Sequence, residues 1–307
     1  MPVAPANDAA PLVLAIGQFD GVHRGHQAVF RAAIAAAGKR KGIPGCLTFF
    51  PHVAQLLNPA LAPLLLATPE QNQVRIGACG IQQIHALPFT RELAAMGPEA
   101  FLSLLKLEFP NLAEVVVGQN FTFGKDRAGT TAALPVLARD LGLRARIVAH
   151  VELDGAPISS TRIRAAVLAG DLPLARSMLG RRFALAGTVV HGRAYGRKLG
   201  FPTANVRPEL PIRPAPGIYA AQLALHDGPQ PGAAFVPDPA DPAQAHFGKI
   251  VEIHVPGLAR SLYDLQVEIA FTRRLRGHLP FPDAAAAAAQ IARDTADALR
   301  VDAQADS

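Results

Sequence analysis

The sequence predicts an α/β half built on a parallel sheet, followed by a small β-barrel that a C-terminal helix closes. Three observations carry this. Strand-like and helix-like segments alternate through short turns as far as residue 181, the pattern of a βαβ chain. Beyond Phe183 the chain becomes a series of short strand-like runs divided by Gly and Pro. Asp283 to Arg300 is alanine-rich with spaced apolar residues, a helix capped by Asp283 with Ile291 and Leu299 facing inward. Two domains follow, 1–181 and 182–307, and a chain of 307 residues, 50% of them hydrophobic, can fill two cores.

The first element is the apolar run Leu12–Ile16, a strand. It breaks into Gly-Gln-Phe-Asp-Gly-Val-His-Arg-Gly-His (residues 17–26), and Gln27 to Ala37 then reads as a helix. Gly21 and Gly25 let backbone and ligand approach where a side chain would collide. His23 and His26, three apart, stand at the positive end of the helix dipole. A strand, a glycine turn and a helix start carrying imidazoles make a phosphate site; a bare His-x-x-His pair fits a polar turn equally well.

Gly45–Phe50 is the second strand, ended by Pro51-His52. Ligands of open parallel sheets sit beyond the carboxyl ends of the strands, so His52 belongs near the same mouth. Ala54–Leu66, apolar and broken by proline, reads as a flap. Thr68-Pro69-Glu70 opens a helix that stops near Gly80, Ile81–Leu87 is a strand, Pro98-Glu99 opens another helix, and Glu114–Val117 is a strand ending at Gly118. Residues 117–129 bring Asn120, Phe121 and Phe123 to that strand's carboxyl end, where they could wall a flat-ring pocket or fold back on the core. Ile158-Ser-Ser-Thr-Arg-Ile-Arg164 opens a helix to Ala169 whose hydroxyls and two arginines can grip a polyphosphate; helix capping alone would also account for the hydroxyls. A short helix with glycine stops, Asp171–Leu179, precedes the boundary.

In the second half, Ala184–His191, Gly217–Leu225, Lys249–Val255 and Leu262–Phe271 read as strands. Between the first two lies Gly-Arg-Lys-Leu-Gly-Phe-Pro-Thr-Ala-Asn-Val, residues 196–206. Thr203 and Asn205, two apart on extended chain, point the same way and offer hard oxygens that suit Mg²⁺. Asp302–Ser307 reads as a polar tail.

Composition narrows the function. The net charge is +6 and the pI about 9.7, yet no Lys/Arg block occurs and tryptophan is absent. That fits anionic small molecules and argues against a nucleic-acid partner. No apolar run is long enough for a bilayer, and residues 1–10 lack the basic start and apolar stretch of a signal peptide, so a cytoplasmic protein without membrane attachment is expected. Cys46 and Cys79 form no Cys-x-x-Cys pair and read as small buried hydrophobes, with no disulfide or zinc site.

Several of these stretches resemble one family. Phe19–His26 and Ile158–Arg164 are similar to the two signatures of the nucleotidyltransferase module of bacterial bifunctional riboflavin kinase/FAD synthetases. Thr48–His52 resembles that family's Thr-Phe-x-Pro-His, and Gly118–Gly124 its Gly-x-Asn/Asp-Phe-x-Phe-Gly. Residues 196–205 closely resemble the riboflavin kinase signature, Val251–His254 its glutamate strand, Leu262–Asp264 its Asp-Leu-Tyr-Gly stretch, and Gln290, Ile291 and Asp294 its closing helix. The resemblance implies an FMN adenylyltransferase domain of nucleotidyltransferase fold and a riboflavin kinase barrel, with ATP, FMN and riboflavin as substrates and Mg²⁺ as cofactor. It implies catalytic roles for His23, His26 and Glu252, and metal binding by Thr203 and Asn205. It carries over as substrate- or nucleotide-binding Gly17, Phe19, Asp20, Gly21, Gly25, His52, Asn120, Phe123, Ser160, Thr161, Arg164, Gly200 and Pro202. One departure stands out: the family's Asn-Ile-Gly-x-x-Pro-Thr segment is missing, and the corresponding Gly232–Gln244 reads as an altered, proline-rich loop. That leaves a second reading open, an FAD synthetase whose second half is a degenerate, non-catalytic flavin-binding or regulatory module.

Overall fold

The structure, a computed structural model, describes residues 10–192 and 195–305. The chain divides into two compact units. One takes the chain up to Pro63 and Pro69–Ile158; the other takes Leu64–Thr68 and everything from Ser159. The boundary expected after Arg181 therefore falls within the second of these units.

The first unit runs β1 (Leu12–Ile16), α1 (Arg24–Lys39), β2 (Ile43–Phe50), α2 (Val53–Leu57), α3 (Pro69–Ala78), β3 (Gln83–Pro88), α4 (Arg91–Ala95), α5 (Pro98–Glu108), β4 (Leu112–Gly118), β5 (Thr122–Phe123), β6 (Gly129–Thr130), α6 (Leu134–Asp140), β7 (Arg144–Val148), β8 (Glu152–Leu153) and β9 (Ala156–Pro157). Five strands form a parallel sheet in the order β3-β2-β1-β4-β7. Central β1 is covered on both faces, which is why it reads as an unbroken apolar run. Leu12, Leu14 and Ile16 join Leu47, Phe101 and Val115 in one cluster, while Val13 and Ala15 join Phe30, Ala33 and Ile76 in another. At the amino end of the sheet, buried Glu114 accepts from Arg40 Nη2 at 2.9 Å and Arg146 Nε at 3.0 Å. This charge cluster lies at the opposite end of β4 from Gly118, so the carboxyl ends stay clear of it. The stretch expected as a flap holds α2 and a 3₁₀ turn at Pro59–Leu61.

The second unit continues with α7 (Ser160–Ala169), α8 (Leu172–Leu179), β10 (Phe183–Val190), α9 (Tyr195–Lys198), β11 (Thr203–Pro208), β12 (Gly217–Leu225), β13 (Gly228–Val236), β14 (Val251–His254), β15 (Gln266–Arg276) and α10 (Ala284–Ala305). Six antiparallel strands close into a barrel in the order β10-β11-β14-β13-β12-β15. Val189, Val206, Tyr219, Leu223, Ile269 and Phe271 are all buried at 1% exposure or less, and their positions on the strands fill its interior. Of the segment expected as an altered loop, Gly232–Val236 instead belongs to β13 and completes the barrel.

Helix α10 starts as expected, with the Asp283 carboxylate accepting from Ala286 N at 2.7 Å. Two expectations about it fail. Leu299 is exposed, while Ala298 and Val301 make the apolar contact with Ala220. Asp302 lies within the helix and is buried, not part of a tail. It accepts from Arg182 Nη2 at 3.1 Å, Gln222 Nε2 at 2.7 Å and Thr272 Oγ1 at 3.1 Å. Just over two turns upstream, Asp294 takes a two-pronged grip from Arg276, with Nε at 2.9 Å. No helix among the described residues is long and apolar enough to cross a membrane.

Candidate active sites

In the first unit the chain leaves β1 at its carboxyl end and turns into α1. The turn is tightly held. Gly17 N donates to Leu47 O, Gln18 Nε2 to Phe49 O, and Gly21 N to Asn72 Oδ1 at 3.0 Å. Gly21 has φ +80°, and Phe19 and Val22 sit at +46° and +44°, backbone angles that non-glycine residues rarely adopt and that cluster at functional loops. Gly25 has no room for a side chain, since a Cβ there would stand 2.9 Å from His23 Cε1.

His23 is the N-cap of α1 and only 5% exposed. Its Nδ1 accepts from His26 N at 3.3 Å, so the neutral ring carries its proton on Nε2. The two imidazoles stack with centroids 3.5 Å apart, and Phe19 meets His26 edge-on at 5.2 Å. Asp20 is buried beside them in the chain. His52 caps α2, its Nδ1 accepting from Ala54 N while Gln55 Oε1 accepts from His52 N, a reciprocal cap that uses one ring nitrogen structurally. Asn120 is exposed, whereas Phe123 is buried against Phe101 and Phe121 in the core. Asn72, which pins Gly21, is a residue that sequence reasoning missed, because nothing in α3 marks it.

In the second unit, Ser159 rather than Ser160 caps α7, accepting from Arg162 N at 3.2 Å. That leaves Ser160 and Thr161 in the first turn, Thr161 exposed, and Arg164 at the start of the second, its Nε donating to Leu64 O.

The barrel carries the other constellation. Asn205 pairs across the ladder with Glu252, and Thr203 with His254, so these side chains share the barrel's outer face. His254 Nδ1 lies 2.8 Å from Pro202 O, and Gly200 has φ +86°. Burial raises the Glu252 carboxyl above its ordinary value of 4.5. Two cavities meet at this carboxylate. One, about 240 Å³, is walled by Phe201, Phe235, Phe247, Phe281 and Ile291, with Arg276 and Asp294 at its edge. The other, about 630 Å³, is the more polar of the two and carries His191, Lys198, Asn205 and Gln244 beside Phe247 and Ile250. A third, about 460 Å³, lies against Val189 and Ile253 and shares Thr203 with the first; Arg197, Arg260 and Tyr263 line it. Phe235 explains part of the altered segment: it lies opposite Glu252 and supplies an aromatic wall.

A divalent ion fits the Thr203–Asn205 pair chemically. Among the described residues no cluster of three His, Cys, Asp or Glu side chains could hold a metal. The hard oxygens of Thr203 and Asn205 suit an ion that keeps waters and phosphate as its other ligands. The Asn205 amide is cradled by bare backbone, since a Cβ on Gly192 would stand 2.4 Å from it.

Comparison with known proteins agrees with both halves. A family profile described as FAD synthetase matches residues 6–162, and one described as riboflavin kinase matches 179–301. The bifunctional riboflavin kinase/FMN adenylyltransferase of Pseudomonas fluorescens is 33% identical over 93% of this chain and 91% of its own. The protein of that name from Escherichia coli K12 is 33% identical over 92% and 90%, and that from Bacillus subtilis 29% over 95% and 93%. A crystal structure described as a macrolide-efflux protein from Streptococcus pneumoniae superposes with a TM-score of 0.80 at 28% identity, covering 93% of both chains. A two-part match of this extent, on a parallel-sheet unit and a closed barrel in the same order, identifies the chain as a member of the bifunctional riboflavin kinase/FMN adenylyltransferase family.

Proposed function

We propose that this protein makes FAD from riboflavin in two steps, in the cytoplasm and on small molecules alone. Riboflavin and ATP give FMN and ADP; FMN and a second ATP give FAD and pyrophosphate. The observation that carries the first step is Glu252, in register with Asn205 and standing where an aromatic cavity meets a polar one. Riboflavin's ring system suits the aromatic cavity and ATP's phosphates suit the polar one. The nucleoside takes the cavity beside Thr203, with Gly200 and Pro202 shaping the approach. A carboxylate whose proton affinity is raised by burial is a better acceptor for the riboflavin hydroxyl proton. Thr203 and Asn205 would hold Mg²⁺, which when bound neutralises phosphate charge during transfer. The aromatic wall from Phe235 and the two family matches favour an active second half over a degenerate regulatory one.

In the second step a phosphate oxygen of FMN attacks the α-phosphorus of ATP and pyrophosphate departs. The chemistry needs alignment and charge stabilisation, with no covalent enzyme intermediate. His23, with its proton on Nε2, and His26 donate to phosphate oxygens at the start of α1, where Gly17, Phe19, Asp20, Gly21 and Gly25 shape a close backbone approach. Ser160, Thr161 and Arg164 serve the same reaction as phosphate-binding residues, and His52 and Asn120 as nucleotide- or flavin-contacting ones, with Phe123 supporting that loop from the core. In functional terms we assign residues 1–181 to adenylyl transfer and 182–307 to the kinase. Purified protein incubated with riboflavin, ATP and Mg²⁺, followed by chromatography, should yield FMN and then FAD. Unchanged riboflavin would overturn the kinase, and FMN that never becomes FAD would overturn the adenylyltransferase.

A further inference from the structure

Three side chains line both the aromatic and the polar cavity of the second unit: Phe247, Glu252 and His278. A group passing from a ligand in one cavity to a ligand in the other must pass where the two meet. Glu252 is the base at that point, and Phe247 offers only a ring. His278 is the remaining side chain able to donate a hydrogen bond. It lies two residues beyond the end of β15, and its ring stands 5.9 Å from that of Phe235, which is itself opposite Glu252 in the β13–β14 pairing. The other charged or titratable groups around the two cavities are His191, Lys198, His254, Arg276 and Asp294. Of these, Arg276 and Asp294 hold each other, and His254 is held at Pro202 O.

We propose that His278 touches the reacting group in the kinase step, an inference that rests on the kinase reading above. Its ring N–H donates to a non-bridging oxygen of the phosphoryl group during transfer and then to the phosphate monoester of FMN. In the step, the bond from the riboflavin hydroxyl oxygen to the γ-phosphorus forms. The bond from that phosphorus to the bridging oxygen breaks, and ADP keeps the electron pair. The hydroxyl proton goes to Glu252. His278 ends with the proton it began with, so its contribution is stabilisation of charge in the transition state.

The test compares His278→Ala and His278→Gln with the parent. Riboflavin phosphorylation is measured as separate kcat and KM, riboflavin binding by quenching of flavin fluorescence, and FMN-to-FAD conversion in the same preparations. Loss of one transition-state donor should lower kinase kcat by roughly tenfold to a hundredfold in His278→Ala, on the lower side of the range for buried donors because the residue is exposed. Riboflavin binding should stay within about twofold and FAD formation from FMN should be unchanged. His278→Gln, which keeps an N–H donor, should recover much of the loss; a residue that merely shapes the cavity would give no such recovery. Normal kcat in His278→Ala, or a raised KM alone, would overturn the proposal while leaving the kinase reading standing. A parent protein that makes no FMN would overturn both.

Discussion

Replacing Gly192 by alanine tests the kinase site through one methyl group. Gly192 lies outside the left-handed region of backbone space, so alanine brings no backbone strain of its own. The added Cβ would stand 2.4 Å from Cγ and Oδ1 of Asn205 and 2.5 Å from Nδ2. Ordinary contact begins near 3.4 Å, so the amide has to retreat by about 1 Å, a displacement that in an aligned phosphoryl transfer costs on the order of a hundredfold. Asn205 is 8% exposed, which leaves it little space in which to turn aside. Kinase kcat at saturating Mg²⁺ should therefore fall by roughly two orders of magnitude, with the thermal midpoint within a few degrees of the parent and FMN adenylylation unaffected. A Gly192→Ala protein that phosphorylates riboflavin normally would refute the idea that the Asn205 amide positions anything in the reaction.

Glu252→Gln should abolish FMN formation and spare FAD formation from FMN. It also has a stability signature: burial raises this carboxyl, so the folded state holds the proton more tightly than the unfolded one, and the stability present below the ordinary value of 4.5 is lost as pH rises through the raised value. The glutamine variant should thus be the more stable at pH 7, with the advantage gone near pH 4 in denaturant titrations. His26→Ala should lower FAD synthesis from FMN by about a hundredfold, the cost of a lost transition-state donor, and leave the kinase intact. Arg164→Lys keeps the charge but loses the two-pronged fork, so ATP use in FAD synthesis should weaken severalfold or more; kinetics matching the parent would make the α7 start a structural cap only. Asp302→Ala removes the carboxylate from half-buried Arg182, which keeps its bonds to Thr272 and Gln222, and should cost about 3 kcal/mol in urea unfolding; a loss under about 1 kcal/mol would mean that water already screens the pair.

The parts of the fold that could be read from sequence are those where one physical demand dominates. β1 shows because both faces of the sheet bury it, and the β1–α1 turn shows because its glycines and histidines answer to close backbone approach and helix polarity. β7, reading Arg-Ala-Arg-Ile-Val, lies at the sheet edge with little buried surface, so no apolar pattern marks it. β13 contains Pro229, Pro231 and Gly232 and imitates a loop; a Cβ at Gly232 would stand 2.2 Å from His254 O, so the glycine is there for close packing of strands. Asp302 looked like tail because a buried ion pair leaves no hydrophobic trace. In the proposed sites, the signature residues could be named from the sequence, whereas Asn72, Phe235 and His278 lie on elements that only folding brings near them. Asp264 has φ +65° where the resembled stretch has glycine, so the departure keeps the backbone turn with a residue that tolerates it.

The second unit is not a continuous stretch of chain, and that bears on how such a gene can be divided or recombined. Leu64–Thr68 belong to it although the ribosome delivers them well before Ser159. Leu66 and Ala67 are 3% and 1% exposed in the finished protein, and Leu64 O accepts from Arg164 Nε in α7. Until α7 has been synthesised, that carbonyl has no guanidinium to meet, so completion of the fold waits on the later half of translation. An exchange of halves between two relatives with its crossover at residue 158 would pair one parent's Leu64–Thr68 with the other parent's α7. Chimeras should tolerate such a crossover only when the transplanted half brings its own version of those five residues.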